Sequence, residues 1–392
     1  MTLAEQDRST AARLIGVDAA RGVALIGMMA VHISPRLGAD RGVTTEYLIA
    51  SGRASALFAV LAGVGLALAS GGSNPPRGTA WKGVAAATAA RAGVLLLVGL
   101  LLGEFDSGVA VILTYYALLF VVGIPFLTLG PRVLLPLAVV WAAATPVISQ
   151  FARLGDTWQS PGNPILASLA DPVGLVTNLF LTGYYPVLQW TAYLLLGLGL
   201  GRLDLRRLSS QAAVLVGGAA LGATAWATSW LLLENGGLAE LRAAGTGSHP
   251  MADGTLDAAL QPGLYGTTPT TSWWWLTVAA PHSGTTFDMW HTMGSAAAVL
   301  GLMLLLARHL GVVLRPLGAI GSMTLTLYTL HVMLLGTALP RATPDALLWH
   351  VVIAFAIAVP WRTFVGRGPL ESVATSASRS ARAAALSPAA PR

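Results

Sequence analysis

Long apolar segments, each bounded by Gly, Pro or charged residues, recur along almost the whole chain. An α-helix needs about 20 predominantly apolar residues to cross the hydrocarbon core of a bilayer. The sequence therefore predicts an all-α polytopic membrane protein of about ten transmembrane helices. A shorter apolar segment, 173–185, predicts a re-entrant or interfacial helix. The predicted spans are 14–33, 53–70, 84–103, 109–129, 133–151, 187–203, 211–233, 287–307, 317–338 and 346–364.

Composition agrees with this class, because 55% of the 392 residues are hydrophobic and only 10% are charged. We predict one transmembrane domain over 1–370 and a disordered cytoplasmic tail over 371–392, which is rich in Ser, Ala, Pro and Arg. The first apolar segment follows a polar stretch and lacks a small-residue cleavage site, so we expect it to be retained. The chain has no cysteine, which excludes disulfides and thiolate chemistry.

The basic residues indicate the topology. Seventeen of the 23 Lys and Arg residues fall in one set of alternate loops, which predicts cytoplasmic N- and C-termini. They are spread through short loops rather than gathered on one domain, so nucleic acid is not an expected partner. The predicted outer set is Arg36, Arg41, Arg53, Arg153, Arg242 and Arg341.

Three polar residues interrupt the first predicted span, namely Asp18, Arg21 and His32. Asp18 and Arg21 are spaced i, i+3 and can neutralise each other on one helix face. His32 lies eleven residues further on, roughly 16 Å along the axis. Ionisable residues within a span usually mark a functional path. The alternative is an ion pair at the helix end plus a buried histidine that is bonded to a neighbour.

Six of the seven histidines fall on the outer side of the predicted topology, and His is the common general base near neutral pH. Taken singly, His249, His309 and His350 are interpreted as surface residues or as residues with only loose hydrogen bonding. No His-x-x-x-His pair is present, so we predict no metal site. The run Trp273 to Trp275 predicts either an interfacial belt or a stacking platform for sugar or lipid.

Several short motifs suggest a family. Asp18-x-x-Arg21-Gly22-x-Ala24-Leu25 resembles the opening signature of bacterial relatives of heparan-alpha-glucosaminide N-acetyltransferase, and Arg21-x10-His32 is similar to the Arg/Lys-to-His motif of membrane O-acetylases in the same transmembrane acyltransferase superfamily. Weaker similarities cover the second span and the C-terminal part of the chain. Their motifs are Ala56 to Gly65, Gly321 to Tyr328, and Gly366 to Glu371.

The resemblance implies a multi-pass protein of the bacterial inner membrane that moves an acyl group, acetyl in the first instance, from cytoplasmic acyl-CoA to an outer acceptor. The acceptor would be a sugar, a glycolipid or another envelope molecule, and membrane lipid and a second copy in a homodimer are further expected partners. Residues expected to bind the anionic donor are Arg21, Arg77, Lys82 and Arg91.

The catalytic group expected from this resemblance is His32, as general base on the acceptor or, alternatively, as the group that accepts the acyl group itself, with Asp18 holding Arg21 in place. His282, in the Pro-His-Ser-Gly turn before the eighth span, competes with His32 for the reacting role. Two other interpretations stay open. Paired charges in spans also line transporters and flippases, whereas a scaffold role would leave the three polar residues unexplained.

Overall fold

The computed structural model describes residues 14–38, 42–155, 162–247, 256, 260 and 263–387. His249, interpreted above as a surface residue, lies outside this part of the chain. The described residues form helices and one isolated β-bridge between Leu37 and Val43, so the all-α prediction is confirmed. The α-helices are α1 (Ile15–Ile33), α2 (Thr45–Ala50), α3 (Arg53–Ala69), α4 (Gly78–Gly103), α5 (Leu113–Gly123), α6 (Pro131–Ala152), α7 (Pro172–Thr177), α8 (Val187–Gly201), α9 (Leu208–Leu232), α10 (Leu238–Ala244), α11 (Thr286–Gly321), α12 (Thr324–Gly336), α13 (Ala346–Phe364) and α14 (Pro369–Leu386).

All ten predicted segments contain helix, but fewer than ten meet the length of a span. In the described residues, seven helices are long and apolar enough to cross a membrane, or eight when the bent pair Arg315–Gly321 and Thr324–Gly336 counts as one. Leu113–Thr128 and Val187–Gly201 are apolar but shorter. The estimate of about ten spans is therefore not confirmed by helix length.

Helix α8, which is among the shorter apolar helices, is enclosed by the other helices of the bundle. Its residues are buried on every side, as expected for a helix that is apolar all round. It packs against α3 and α6. Gly63 and Gly197 let the backbones of α3 and α8 come close together, since a Cβ on Gly197 would overlap the carbonyl oxygen of Val60.

Helix α1 lies against α11 and α3 and ends at Ile33, two residues before Pro35. Small residues allow this approach. A Cβ on Gly22 would overlap the Leu317 carbonyl, and one on Gly321 would overlap the Asp18 carbonyl. The position of α1 along α11 is therefore fixed by backbone contact at the end that carries Asp18.

The long helix α11 changes direction twice. Leu310 has non-helical angles within it, and the chain bends by 76° between Arg315–Gly321 and α12. The kink at Leu310 lies between the spans predicted at 287–307 and 317–338, whereas the 76° bend falls inside the second of them. After the bend, α12 packs against α1.

The described part of the predicted tail is ordered as helix, contrary to the expectation of disorder over 371–392. Helix α14 starts with Pro369 at its first turn and packs against α4. Ser378 Oγ donates to the Ala87 carbonyl at 3.0 Å, and the Glu371 carboxylate accepts from the Leu325 and Thr326 backbone at the start of α12. Small residues gave the tail a disorder-like composition, but they also give α14 a face that packs closely against α4.

The three consecutive tryptophans have different environments within the helical turn Trp273–Thr277. Trp275 is fully buried against a small cluster that includes Leu241 and Val278, whereas the Trp273 side chain is exposed. Trp275 is therefore a core residue, and only its neighbours remain for an interfacial belt or a stacking platform.

The close approach of α3 and α8 yields a stability prediction. Gly197→Ala should destabilise the protein by about 1–3 kcal/mol, because the added methyl group overpacks the interface. Gly217→Ala in α9 is the matched control, since a Cβ there meets no atom within 4 Å. Thermal unfolding of the purified proteins in detergent measures both. Equal melting temperatures for Gly197→Ala and the parent would contradict the packing described here.

Candidate active site

A cavity of about 560 Å³ lies beside the end of α1 that carries His32. We call it the histidine cavity, because His32 and His282 both line it. Its lining also contains Arg36 and Arg341, and none of its described residues is a carboxylate. Five tyrosines also line it, namely Tyr47, Tyr184, Tyr185, Tyr265 and Tyr328.

His32 belongs to a chain of three histidines drawn from three helices. Its Nδ1 lies 3.1 Å from Nε2 of His331 on α12, and Nδ1 of His331 lies 3.0 Å from Nδ1 of His350 on α13. The His350 Nε2 atom is 3.1 Å from the carbonyl oxygen of Leu339. His331 and His350 are almost fully buried, so the chain runs from the cavity into the protein.

His282 reaches the histidine cavity from the loop before α11. Its backbone has φ of 56°, a left-handed conformation that is uncommon for residues other than glycine. The loop is held because Gly266 N donates to the His282 carbonyl at 2.8 Å and Gly284 N donates to Asp288 at 3.1 Å. The His282 ring meets Tyr185 edge to face, with centroids 6.0 Å apart. Burial, and then the charge of Arg36, lowers the pKa of His282 to about 4.

A second cavity, of about 610 Å³, lies beside the Arg21 end of α1. We call it the arginine cavity. Its five arginines come from α1, α4, the turn before α14 and α14 itself, and they are Arg21, Arg91, Arg367, Arg379 and Arg382. Glu371 is its described carboxylate. Oε1 of Glu371 accepts a hydrogen bond from Leu325 N, and Oε2 accepts one from the Thr326 hydroxyl.

The Asp18 carboxylate fixes the Arg21 guanidinium in the wall of the arginine cavity. Arg21 Nη1 donates to Asp18 Oδ1 at 3.2 Å, and Nη2 donates to the Leu61 carbonyl at 3.4 Å. Gly65 leaves room for this guanidinium, since a Cβ there would overlap Arg21 Nη2. Asp18 itself is buried and lines neither cavity.

The two cavities are separated by about one helical turn. On α3, Ser55 lines the histidine cavity and Phe58, three residues later, lines the arginine cavity. On α12, Tyr328 lines the histidine cavity and Leu325, three residues earlier, lines the arginine cavity. One turn rises about 5.4 Å, so the wall between the cavities is thin. Phe58 contributes to it by stacking on Tyr116 with ring centroids 5.6 Å apart.

A family model described as heparan-alpha-glucosaminide N-acetyltransferase, catalytic, matches residues 13–231. The chain belongs to this family. No curated protein matches the chain. Family membership and the apolar helices together support a multi-pass membrane acetyltransferase, in agreement with the resemblance found in the sequence.

In this member of the N-acetyltransferase family, the predicted site residues lie in the two cavities, in the core beside Arg21 in the case of Asp18, and at the surface. His32 and His282 share the histidine cavity, and Arg21 and Arg91 share the arginine cavity. Arg77 and Lys82, also expected to bind the donor, are exposed near the start of α4 and line neither cavity.

Sequence reasoning missed several residues of these cavities. The sequence suggests a surface or loosely bonded residue at His350, but the structure buries it with both ring nitrogens bonded, and no spacing in the sequence indicates its contact with His331. Arg379 and Arg382 were assigned to a disordered tail. Their i, i+3 spacing after Glu371 was the available signal for a helix with one basic face.

The three linked histidines do not form a metal site in the structure. Within the described residues, no group of three or more His, Cys, Asp or Glu side chains is placed to hold a metal ion. The imidazoles instead bond to one another in sequence, which uses the nitrogen atoms that a metal would need.

The environment of His282 predicts its titration. The pKa of His282 is about 4 in the folded protein and 6.5 in the unfolded chain. As the pH falls from 6.5 through 4, the unfolded chain therefore takes up a proton that the folded protein does not, and the folded protein loses stability relative to it. His282→Asn should therefore lose less thermal stability than the parent between pH 7 and pH 4. Melting curves across that range test this, and an NMR titration midpoint for His282 near 6.5 would contradict it.

Proposed function

We propose that this protein transfers an acyl group, acetyl in the first instance, from acyl-CoA in the arginine cavity to an acceptor in the histidine cavity. The donor side is cytoplasmic and the acceptor side is the outer face of a bacterial inner membrane, as the distribution of Lys and Arg predicts. The acceptor is a sugar, a glycolipid or another envelope molecule. The observation that carries the proposal is the thin wall between an arginine-lined cavity and a cavity that contains His32.

The arginine cavity suits the phosphates of the donor. Guanidinium groups bind phosphate through paired, charge-assisted hydrogen bonds. Arg21 and Arg91 lie in the bundle wall, whereas Arg379 and Arg382 are presented by α14. The carboxylate of Glu371 is occupied by the start of α12 and so competes less for these cations.

The distance from Arg21 to His32 suits a long, flexible donor. Eleven residues of helix separate them, or roughly 16 Å. The pantetheine arm of CoA is an extended chain that ends in the thioester, so phosphates held near Arg21 leave the thioester free to cross the thin wall toward His32. An opening in this wall therefore needs to be only wide enough for the acyl group and its thioester.

His32 is positioned to act as the general base. Its Nδ1 is bonded to His331, which leaves Nε2 for the histidine cavity. In the proposed step, His32 Nε2 accepts the proton of an acceptor hydroxyl or amine while the acceptor atom bonds to the thioester carbonyl carbon. The C–S bond then breaks and the CoA sulfur leaves with that proton, so His32 returns to its neutral form.

The wall of the histidine cavity supports a polar, ring-shaped acceptor. Its tyrosines offer both aromatic faces and hydroxyl groups, and Arg36 donates to the Tyr265 hydroxyl at 2.9 Å while lying over its ring. Pockets of this kind fix a ligand by apolar contact and a few placed polar groups.

The thin wall also suits the second candidate, a transporter or flippase, because alternate opening of two facing cavities would move a solute across. Acetyl-CoA consumption separates the two functions. A transferase releases free CoA from acetyl-CoA when water or an added hydroxyl compound accepts the acyl group, whereas a transporter leaves the thioester intact.

The donor site predicts a charge-geometry effect at Arg21. Arg21→Lys should weaken CoA binding about tenfold, because lysine keeps the charge but loses the planar fork. Lys82→Ala is the matched control and should bind CoA as the parent does, since Lys82 is exposed and lines neither cavity. Isothermal titration of the purified proteins with CoA measures both. Equal affinities in Arg21→Lys and the parent would remove Arg21 from the donor site.

The catalytic role predicts separate losses at the two cavity histidines. His32→Asn keeps hydrogen bonding but has no basic nitrogen, so acetyl-CoA turnover should fall roughly 10²–10⁴-fold while CoA affinity stays unchanged. His282→Ala should retain more activity, because its loop contributes to acceptor contacts rather than proton transfer. Near-parent turnover in His32→Asn together with an inactive His282→Ala would move the catalytic role to the loop.

A further inference from the structure

The hydrogen bonds in the chain of three histidines all run in one direction, which we call its polarity. This direction is set at the buried end, at His350. A backbone carbonyl can only accept a hydrogen bond, so the His350 nitrogen beside the Leu339 oxygen, Nε2, must carry a proton. In a neutral imidazole the other nitrogen is then an acceptor. His350 Nδ1 is therefore unprotonated.

The tautomers of the other two histidines follow from that of His350. Unprotonated Nδ1 of His350 accepts from Nδ1–H of His331, which leaves Nε2 of His331 unprotonated. That nitrogen accepts from Nδ1–H of His32. When all three histidines are neutral, Nε2 of His32 is consequently unprotonated and can act as a base.

We infer that His331 and His350 are positioning residues, which use the Leu339 carbonyl to hold His32 in the tautomer whose unprotonated Nε2 faces the histidine cavity. The catalytic part of this inference rests on the proposed function, whereas the tautomer does not. Histidine chemistry depends on such orientation, since an imidazole in the wrong tautomer presents N–H where a base is needed.

The packing around the chain supports a fixed geometry. His32 stacks on His331 with centroids 5.3 Å apart, and His331 meets His350 edge to face at 4.6 Å. Tyr328 contacts the His32 ring edge to face, and its own hydroxyl accepts from Ile112 N at 3.3 Å. The rings therefore have little freedom to rotate away from the hydrogen bonds that set their tautomers.

Nitrogen-15 NMR of the full chain, labelled at histidine and purified in detergent at pH 8, tests the polarity without substrate. The two neutral tautomers have distinct ring-nitrogen shifts, and the signals that disappear in His32→Asn identify His32. We expect Nδ1–H in the parent and in His331→Gln, whose amide oxygen replaces the acceptor nitrogen of His331. In His331→Leu the Nε2–H tautomer of His32 should become populated.

Turnover of acetyl-CoA completes the test. His331→Leu should lose about 10²-fold in rate with unchanged CoA affinity, while His331→Gln should stay within about tenfold of the parent. His309→Gln is the control, because His309 is exposed on α11 and belongs to neither cavity. If His331→Leu fails to fold, His350→Phe removes the anchor at the other end and should shift the His32 tautomer in the same direction.

Two results would overturn the inference. One is an Nε2–H tautomer of His32 in the parent, which reverses the polarity. The other is a His331→Leu protein that keeps both the parent tautomer and the parent rate. A parent without any acetyl-CoA turnover would instead contradict the proposed function, and the parent tautomer would still decide the polarity of the chain.

Discussion

The position of α1 between α11 and α3 is the constraint on which the site depends. Glycines at Gly22 and Gly321 remove the side chains that would keep the α1 and α11 backbones apart, so α1 cannot slide without overlap. Arg21 and His32 are both carried by this helix. Backbone packing at one end therefore sets the location of a guanidinium and, roughly 16 Å away, of an imidazole.

This arrangement explains how an apolar bundle can carry charged residues at acceptable cost. Asp18 pairs with Arg21, and the guanidinium opens onto a cavity rather than lipid. At the other end, the buried histidines satisfy one another and finish on a carbonyl. Buried polar groups of this kind stabilise a structure only when each has a partner, so the chain of histidines depends on all three helices that supply it.

The sequence predicted the helical segments and the separation of Arg21 from His32, because both follow from local periodicity and helix rise. It did not predict which helices meet. The contacts of His331 with His32 and His350 join α1, α12 and α13, and the bend of 76° before α12 that places His331 there has no simple signature in the sequence. Arg77 and Lys82 were chosen for charge and topology alone, which indicate the side of the membrane but not the direction of a side chain. Composition did not indicate α14 either, since segments rich in Ala and Ser occur both in disordered tails and in closely packed helices.

A structure of the protein with a non-hydrolysable acetyl-CoA analogue would show whether one bound donor extends from the arginine cavity to His32. We expect the phosphates to lie among Arg21, Arg91 and the arginines of α14, with the acyl carbon within reach of an acceptor atom that is hydrogen-bonded to His32 Nε2. A donor whose phosphates lie in the histidine cavity, or whose acyl group ends on the arginine side of Phe58 and Tyr116, would contradict it.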